Sequence, residues 1–204
     1  MSQQALNDLL AQGGGALAAP PPGEEIQYVP EPLRPLIGRR NGFYAFGPAL
    51  YVRPWSPGVQ GDCLWWNATD TWRHEYKGVG DDLLFFAEDV FGFQFGLHRS
   101  GIYSFDPETA ARELLAKDIG GWAAKILADV DFLTGAPVAD AWTEERGPLP
   151  LATRLAPVVP FFLGGEYDIE QLNPIPEVEL MRFRGDVYQQ TKDLPDGAQI
   201  ELGF

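Results

Sequence analysis

The sequence predicts a mixed domain of short, hairpin-linked strands with a helix packed on them, and three observations carry that prediction. Phe91, Phe93, Phe95 and Leu97 alternate with Gly92, Gln94 and Gly96, the period-two pattern of a half-buried strand. The loop His98-Arg99-Ser100-Gly101 joins that strand to Ile102-Tyr103-Ser104-Phe105, which reads as a hairpin. Ala111, Leu115, Ile119, Trp122, Ile126 and Val130 recur at three- and four-residue spacing, the apolar stripe of a helix.

Taken in chain order, residues 1–25 form a separate leader. A short helix fits Ala5 to Ala11, but Gly13-Gly14-Gly15 and Pro20-Pro21-Pro22-Gly23 break regular structure, so the leader is expected to be flexible. Asn41-Gly42 and Gly47-Pro48 are turn signals that set off two apolar runs, 43–46 and 49–52, expected to pair as strands. Residues 54–61 read as a loop, and a polar turn at 67–70 separates Leu64-Trp65-Trp66 from residues 72–76. A strand from Leu83 then runs into an acidic turn at Glu88-Asp89.

The helix is expected to start at Asp106 as N-cap, with Pro107 in the first position and Glu108 at the positive end of the dipole. Gly120-Gly121 predicts a bend or break, with Asp118 capping the second half. Residues 135–157, rich in Pro and Gly, are expected to wrap the surface. Residues 179–190 read as a hairpin turning at Gly185-Asp186, and Asp196-Gly197 precedes a last strand at 199–202.

Composition narrows the function. The chain of 204 residues carries a formal charge of −14 and an isoelectric point near 4.4. Nucleic acids and anionic membranes demand clustered Lys and Arg, so neither is expected as a partner. A basic protein is favoured, because opposite potentials speed encounter. Cys63 is the single cysteine, which fits a reducing compartment. No secretion signal and no membrane-spanning run is apparent, so a cytoplasmic location is expected.

Catalytic motifs are sparse. Cys63, His74 and His98 lack the paired spacing of a zinc site, and no cofactor is expected. There is no Gly-x-Ser-x-Gly elbow and no phosphate-gripping loop. Glu88 and Asp89, being adjacent in a strand, point to opposite faces and do not form an acid–base pair. Trp122 belongs to the helix stripe and the core, whereas one of Trp65 and Trp66 is expected to face outward as an interface anchor.

These pieces resemble a known family. The segments Pro32-Leu33-Arg34-Pro35-Leu36-Ile37 before Asn41-Gly42-Phe43, Phe86-Ala87-Glu88-Asp89-Val90-Phe91-Gly92, Ile102-Tyr103-Ser104-Phe105-Asp106-Pro107-Glu108-Thr109 and Ala116-Lys117-Asp118-Ile119-Gly120-Gly121-Trp122 follow the order of motifs in the Smi1/Knr4 family, also called the SUKH superfamily. The resemblance runs from about Tyr28 to Asp131. The Pro-rich leader and residues 135–204 lie outside the minimal family domain. The resemblance implies an α+β fold, a mostly antiparallel curved sheet packed against helices. It divides the chain into a leader (1–25), a core (26–134) and a β-rich C-terminal extension (135–204) packed on that core. It also implies a non-enzymatic binding role: bacterial members are typically immunity proteins that neutralise toxins, often nucleases, and fungal members are regulatory scaffolds.

The expected function is therefore an immunity protein for a basic, cognate toxin domain. A scaffold in a larger assembly and a hydrolase using acidic groups stand as alternatives. The expected contact surface is acidic: Asp81, Asp82, Glu88 and Asp89, with Trp65 or Trp66 as the apolar anchor. Neutralising those four acids is expected to slow association without harming the fold. Glu144-Glu145 and residues 166–170 are the next acidic candidates.

Overall fold

The computed structural model describes residues 2–195 and 198. Among them, six strands form one antiparallel sheet in sequence order: β1 (Phe43–Ala45), β2 (Leu50–Val52), β3 (Leu84–Asp89), β4 (Gln94–His98), β5 (Gly101–Phe105) and β6 (Arg112–Ala116). Register irregularities leave one extra residue in β3, between Phe85 and Ala87, and one in β6, between Leu114 and Ala116 opposite Ile102 and Tyr103. Such bulges bend a strand and raise its twist, which suits a sheet that is covered on both faces. The fold is α+β, with the sheet packed against helices, as the sequence predicts. The expected hairpins at 43–52 and 91–105 are both present, but the strand expected from Phe91 begins only at Gln94, and residues 91–93 belong to the β3–β4 connection.

One face of the sheet carries α1 (Ser2–Gln12) and α4 (Ile119–Ala128), which pack on each other. Phe86 and Phe95 from the strands meet Trp122, Ile126, Leu6 and Leu9 there. Trp122 is fully buried, as its place on the stripe predicts. On the other face Trp66, Trp72, Tyr76, Phe85, Phe105 and Met181 form an aromatic-rich cluster beneath α7 (Glu177–Thr191). Two short helices, α2 (Arg34–Ile37) and α3 (Cys63–Trp66), shape the connections. Beyond the β3–β4 turn, α5 (Val130–Thr134), α6 (Ala136–Arg146) and a two-stranded sheet of β7 (Thr153–Pro157) and β8 (Leu172–Pro176) build a third cluster around Val90, Phe91 and Trp142.

Several expectations are corrected. The leader is integral: Leu6 and Leu9 of α1 are buried in the main core. Its glycine segment hydrogen-bonds beside β1, through Gly14 N–H to the Tyr44 carbonyl at 2.8 Å and Leu17 N–H to that of Gly42 at 2.9 Å. Of the three glycines it is Gly13 that the close approach requires, since a Cβ there would come within 2.7 Å of the Phe43 ring.

The helix expected from Asp106 begins only at Ile119. Asp106 instead accepts from Glu108 N–H and Thr109 Oγ1 in a tight turn. Ala110 takes a left-handed φ of 55°, and residues 112–116 become the edge strand that β5 recruits. Asp118 does cap α4, accepting from Gly121 N–H at 2.8 Å, so Gly120 and Gly121 lie in the first turn rather than at a break.

Residues 135–157 do not simply wrap the surface, since α6 and β7 fall within them. The hairpin expected at 179–190 is the helix α7. Its buried positions 177, 180, 181, 184, 185 and 187 follow a helical period, but two of them are charged and one is Gly185. A Cβ there would sit 2.6 Å from that of Glu75, so glycine marks close helix packing and not a turn. The extension is thus mixed rather than β-rich among the described residues. The strand expected at 199–202 lies outside them.

Candidate binding site

The six expected contact residues do not form one acidic face. Asp81 and Asp82 are exposed, but each is answered by a cation: Arg73 Nη2 lies 3.4 Å from Asp81, and Arg112 Nη1 lies 2.7 Å from Asp82, with His98 at 3.6 Å. The hydrogen bond from Arg112 holds the Asp82 carboxyl below its usual range. Trp65 is half-buried, and Trp66 is fully buried. Glu88 and Asp89, read in the sequence as an exposed turn, are both buried. The physical reason is that β3 continues through both residues and its two faces are covered. Glu88 turns inward because two guanidiniums meet it there.

Those guanidiniums come from distant parts of the chain. Arg53, just after β2, donates to Glu88 Oε1 at 2.8 Å. Arg154 of β7 donates through Nε to the same oxygen at 2.8 Å, and its Nη2 lies 2.6 Å away without hydrogen-bond alignment. Gln94 Nε2 donates to Glu88 Oε2 at 2.5 Å. Glu177, the first residue of α7, accepts from Arg53 Nη1 at 3.2 Å and Nη2 at 3.1 Å. The Arg53 guanidinium lies 3.5 Å over the Trp66 ring, and Trp66 Nε1 donates to Gln94 Oε1 at 2.9 Å. This neutral cluster of two arginines and two glutamates ties β2, β3, β7 and α7 together.

Burial alone would raise the Glu88 carboxyl, but Arg154 and Arg53 outweigh it and hold it down at about 2. A second buried pair, Arg184 with Glu108 at 3.2 Å, links α7 to the turn after β5, and Arg184 Nη1 also donates to the Phe91 carbonyl at 2.6 Å. Cys63 is buried, and burial pushes its thiol up to about 12, so it is a poor nucleophile at neutral pH. Among the described residues, no three His, Cys, Asp or Glu side chains gather as metal ligands would.

Asp89 has a different setting. Its Oδ1 accepts from the N–H groups of Phe91 and Phe93, each at 2.9 Å, and its Oδ2 takes no hydrogen bond from the described residues. Burial pushes its carboxyl up to about 8, against the pull of those two N–H groups. It forms part of the lining of a groove of about 650 Å3 at the ends of β4, β5 and β6. Phe93, Phe95, Leu133 and Val138 supply apolar walls, with α5 and the start of α6 on one side and Tyr167 on the other. Tyr167 is fixed by stacking on Phe161 at 4.2 Å and by an edge contact with Phe91 at 5.0 Å. Gly135, with φ of 69°, sits where a Cβ would come 2.4 Å from the Phe91 ring, so the helical wall is seated directly on the β3–β4 turn. Phe132, also on the groove, is 80% exposed.

Sequence reasoning missed this groove. Asp89-Val90-Phe91-Gly92-Phe93 does carry a local signal, since Asp side chains commonly accept from backbone N–H groups two residues on. Phe132 and Tyr167 carry none, because only the fold brings them near Asp89.

No family model matches the chain, and no curated protein matches it. Its structure is similar to that of Atu4351 from Agrobacterium tumefaciens, with a TM-score of 0.55 at 14% identity, covering 87% of this chain and 86% of that one. At that identity the likeness speaks to the fold alone. No described helix is long and apolar enough to cross a membrane.

Proposed function

We propose that this chain is a non-enzymatic binding protein for a basic protein partner, and that it serves as a cytoplasmic immunity protein against a cognate toxin domain, a nuclease in the favoured case. The observation that carries the reading is how the charges are divided between interior and exterior. Arg53, Arg73, Arg154 and Arg184 are all buried, taken from a total of only 15 Lys and Arg against 29 Asp and Glu. Five acids, Asp62, Glu88, Asp89, Glu108 and Glu177, are buried with them among the described residues, so the interior is close to balanced and the exterior keeps nearly the whole acidic excess, which favours rapid capture of a cationic surface. The buried carboxylates Glu88, Glu108 and Glu177 are engaged by arginines in structural pairs. The resemblance to the Smi1/Knr4 family supports the immunity role. A nuclease domain, built to hold phosphates, offers the matching basic face.

The test is protection. The gene directly upstream is expected to encode a toxin, and co-expression of this chain should restore growth to cells producing that toxin domain. Growth arrest that persists with both proteins soluble, or turnover of common hydrolase substrates by this chain alone, would refute the proposal.

A further inference from the structure

We infer that the groove between the strand ends and α5 is where the partner docks, and that it takes an apolar segment bearing an arginine or lysine whose cation seats on Asp89. The inference rests on the basic-partner reading above and gives it a location and a chemistry. Three separate features converge on it.

The first is the unfilled capacity of Asp89. Its side chain is about nineteen-twentieths buried, with 5% exposure, and it lines the groove with Oδ2 still available. A guanidinium or ammonium supplies the charge-assisted donors that a buried carboxylate needs. The second is the charge of the rim. Asp106, Glu113 and Asp131 line the groove, and Arg112, the one cation lining it among the described residues, is already engaged by Asp82. The third is Phe132, which stays exposed beside a wall otherwise made of apolar side chains. An aromatic left in water at the edge of a preformed apolar groove is the usual composition of an interface anchor. A purely apolar occupant would bury Asp89 further without a partner, which disfavours it.

Ionisation of Asp89 also couples to docking. Burial raises its carboxyl to about 8, with Glu88 on its own strand adding to the rise and the backbone N–H groups of Phe93 and Phe91 and Arg184 from α7 opposing it; Tyr167 from the opposite wall feels its charge in turn. A seated cation drives the proton off, so capture at neutral pH releases a proton.

The experiment uses the full chain and two blocked pentapeptides, Leu-Leu-Arg-Phe-Leu and the same sequence with neutral citrulline in place of arginine, titrated by backbone NMR. The arginine peptide is expected to shift the amides of Phe91, Phe93 and residues 132–135, and to bind about tenfold more tightly than the citrulline peptide. Asp89→Asn, which keeps an acceptor for the two N–H groups, should erase that difference. Phe132→Ala, an exposed position with little bearing on folding, should weaken both peptides. Equal binding of the two peptides, or no effect of Phe132→Ala, would overturn the inference, as would the absence of shifts at the groove. Self-association that protects Phe132 would overturn it too, by making a second copy the occupant. Shifts confined to another acidic surface would sink the groove alone, while the protection test decides the basic-partner reading independently.

Discussion

Replacing Glu88 by Gln tests the ionic cluster at its centre. The change keeps the size of the side chain and one acceptor oxygen but removes the negative charge. Glu88 is fully buried and holds Arg53, Arg154 and Gln94. Without its charge, two buried guanidiniums share Glu177 alone, and Arg154 reaches that residue only at 3.7 Å. Removing one partner of a buried pair costs roughly 3–5 kcal/mol, because the remaining charge is stranded away from water. The retained acceptor places the variant near the lower end, about 3 kcal/mol. For a domain of this size that lowers the melting temperature by roughly 6–12 °C. Urea titration followed by tryptophan fluorescence and far-UV circular dichroism measures it. An exposed glutamate would change stability by about 0.5 kcal/mol or less, so a loss that small would refute the buried arrangement. A double-mutant cycle with Glu177→Gln should show strong coupling, since both carboxylates answer the same arginines.

Two further outcomes follow from the same structure. Asp89 and Glu88 give stability opposite pH dependences. The unfolded chain releases the Asp89 proton near its ordinary value of 3.8, whereas the folded chain keeps it to about 8. The folded state therefore holds more protons in that window, and this contribution falls as pH rises from about 4 to about 8. Glu88, held at about 2 against an ordinary 4.5, contributes stability that is complete above the ordinary value and is lost as pH falls through about 2. Asp89→Asn should accordingly raise the urea midpoint more at about pH 8 than at about pH 5, and an equal effect at both would contradict the assignment. Leu9→Ala in the leader helix should cost about 2–5 kcal/mol, as core truncations do; an unchanged melting temperature would return the leader to a dispensable appendage.

The parts of the fold legible in the sequence are those whose signals are local. Alternating Phe91, Phe93, Phe95 and Leu97 with a Gly-containing turn specify the β4–β5 region, and Asp118 marks the start of α4 because a cap needs only three residues. The misread elements are those where tertiary contacts override local preference. Residues 112–116 are good helix formers, yet they add to the free edge of β5. The inward face of α7 is disguised because Glu177 and Arg184 occupy core positions, and they are tolerated there by ion partners distant in sequence, such as Arg53 and Glu108. The same long-range pairing hid the burial of Glu88. The groove was illegible for a related reason, since Asp89, Phe132 and Tyr167 are joined by packing alone.

Capture of a basic partner by the acidic exterior is probed by association kinetics with the toxin domain that the proposal expects upstream, measured across a salt series by stopped-flow fluorescence. Rapid one-to-one association is expected, with a rate that falls steeply as salt rises while the dissociation rate changes little. No complex, or an association rate indifferent to salt, would contradict it.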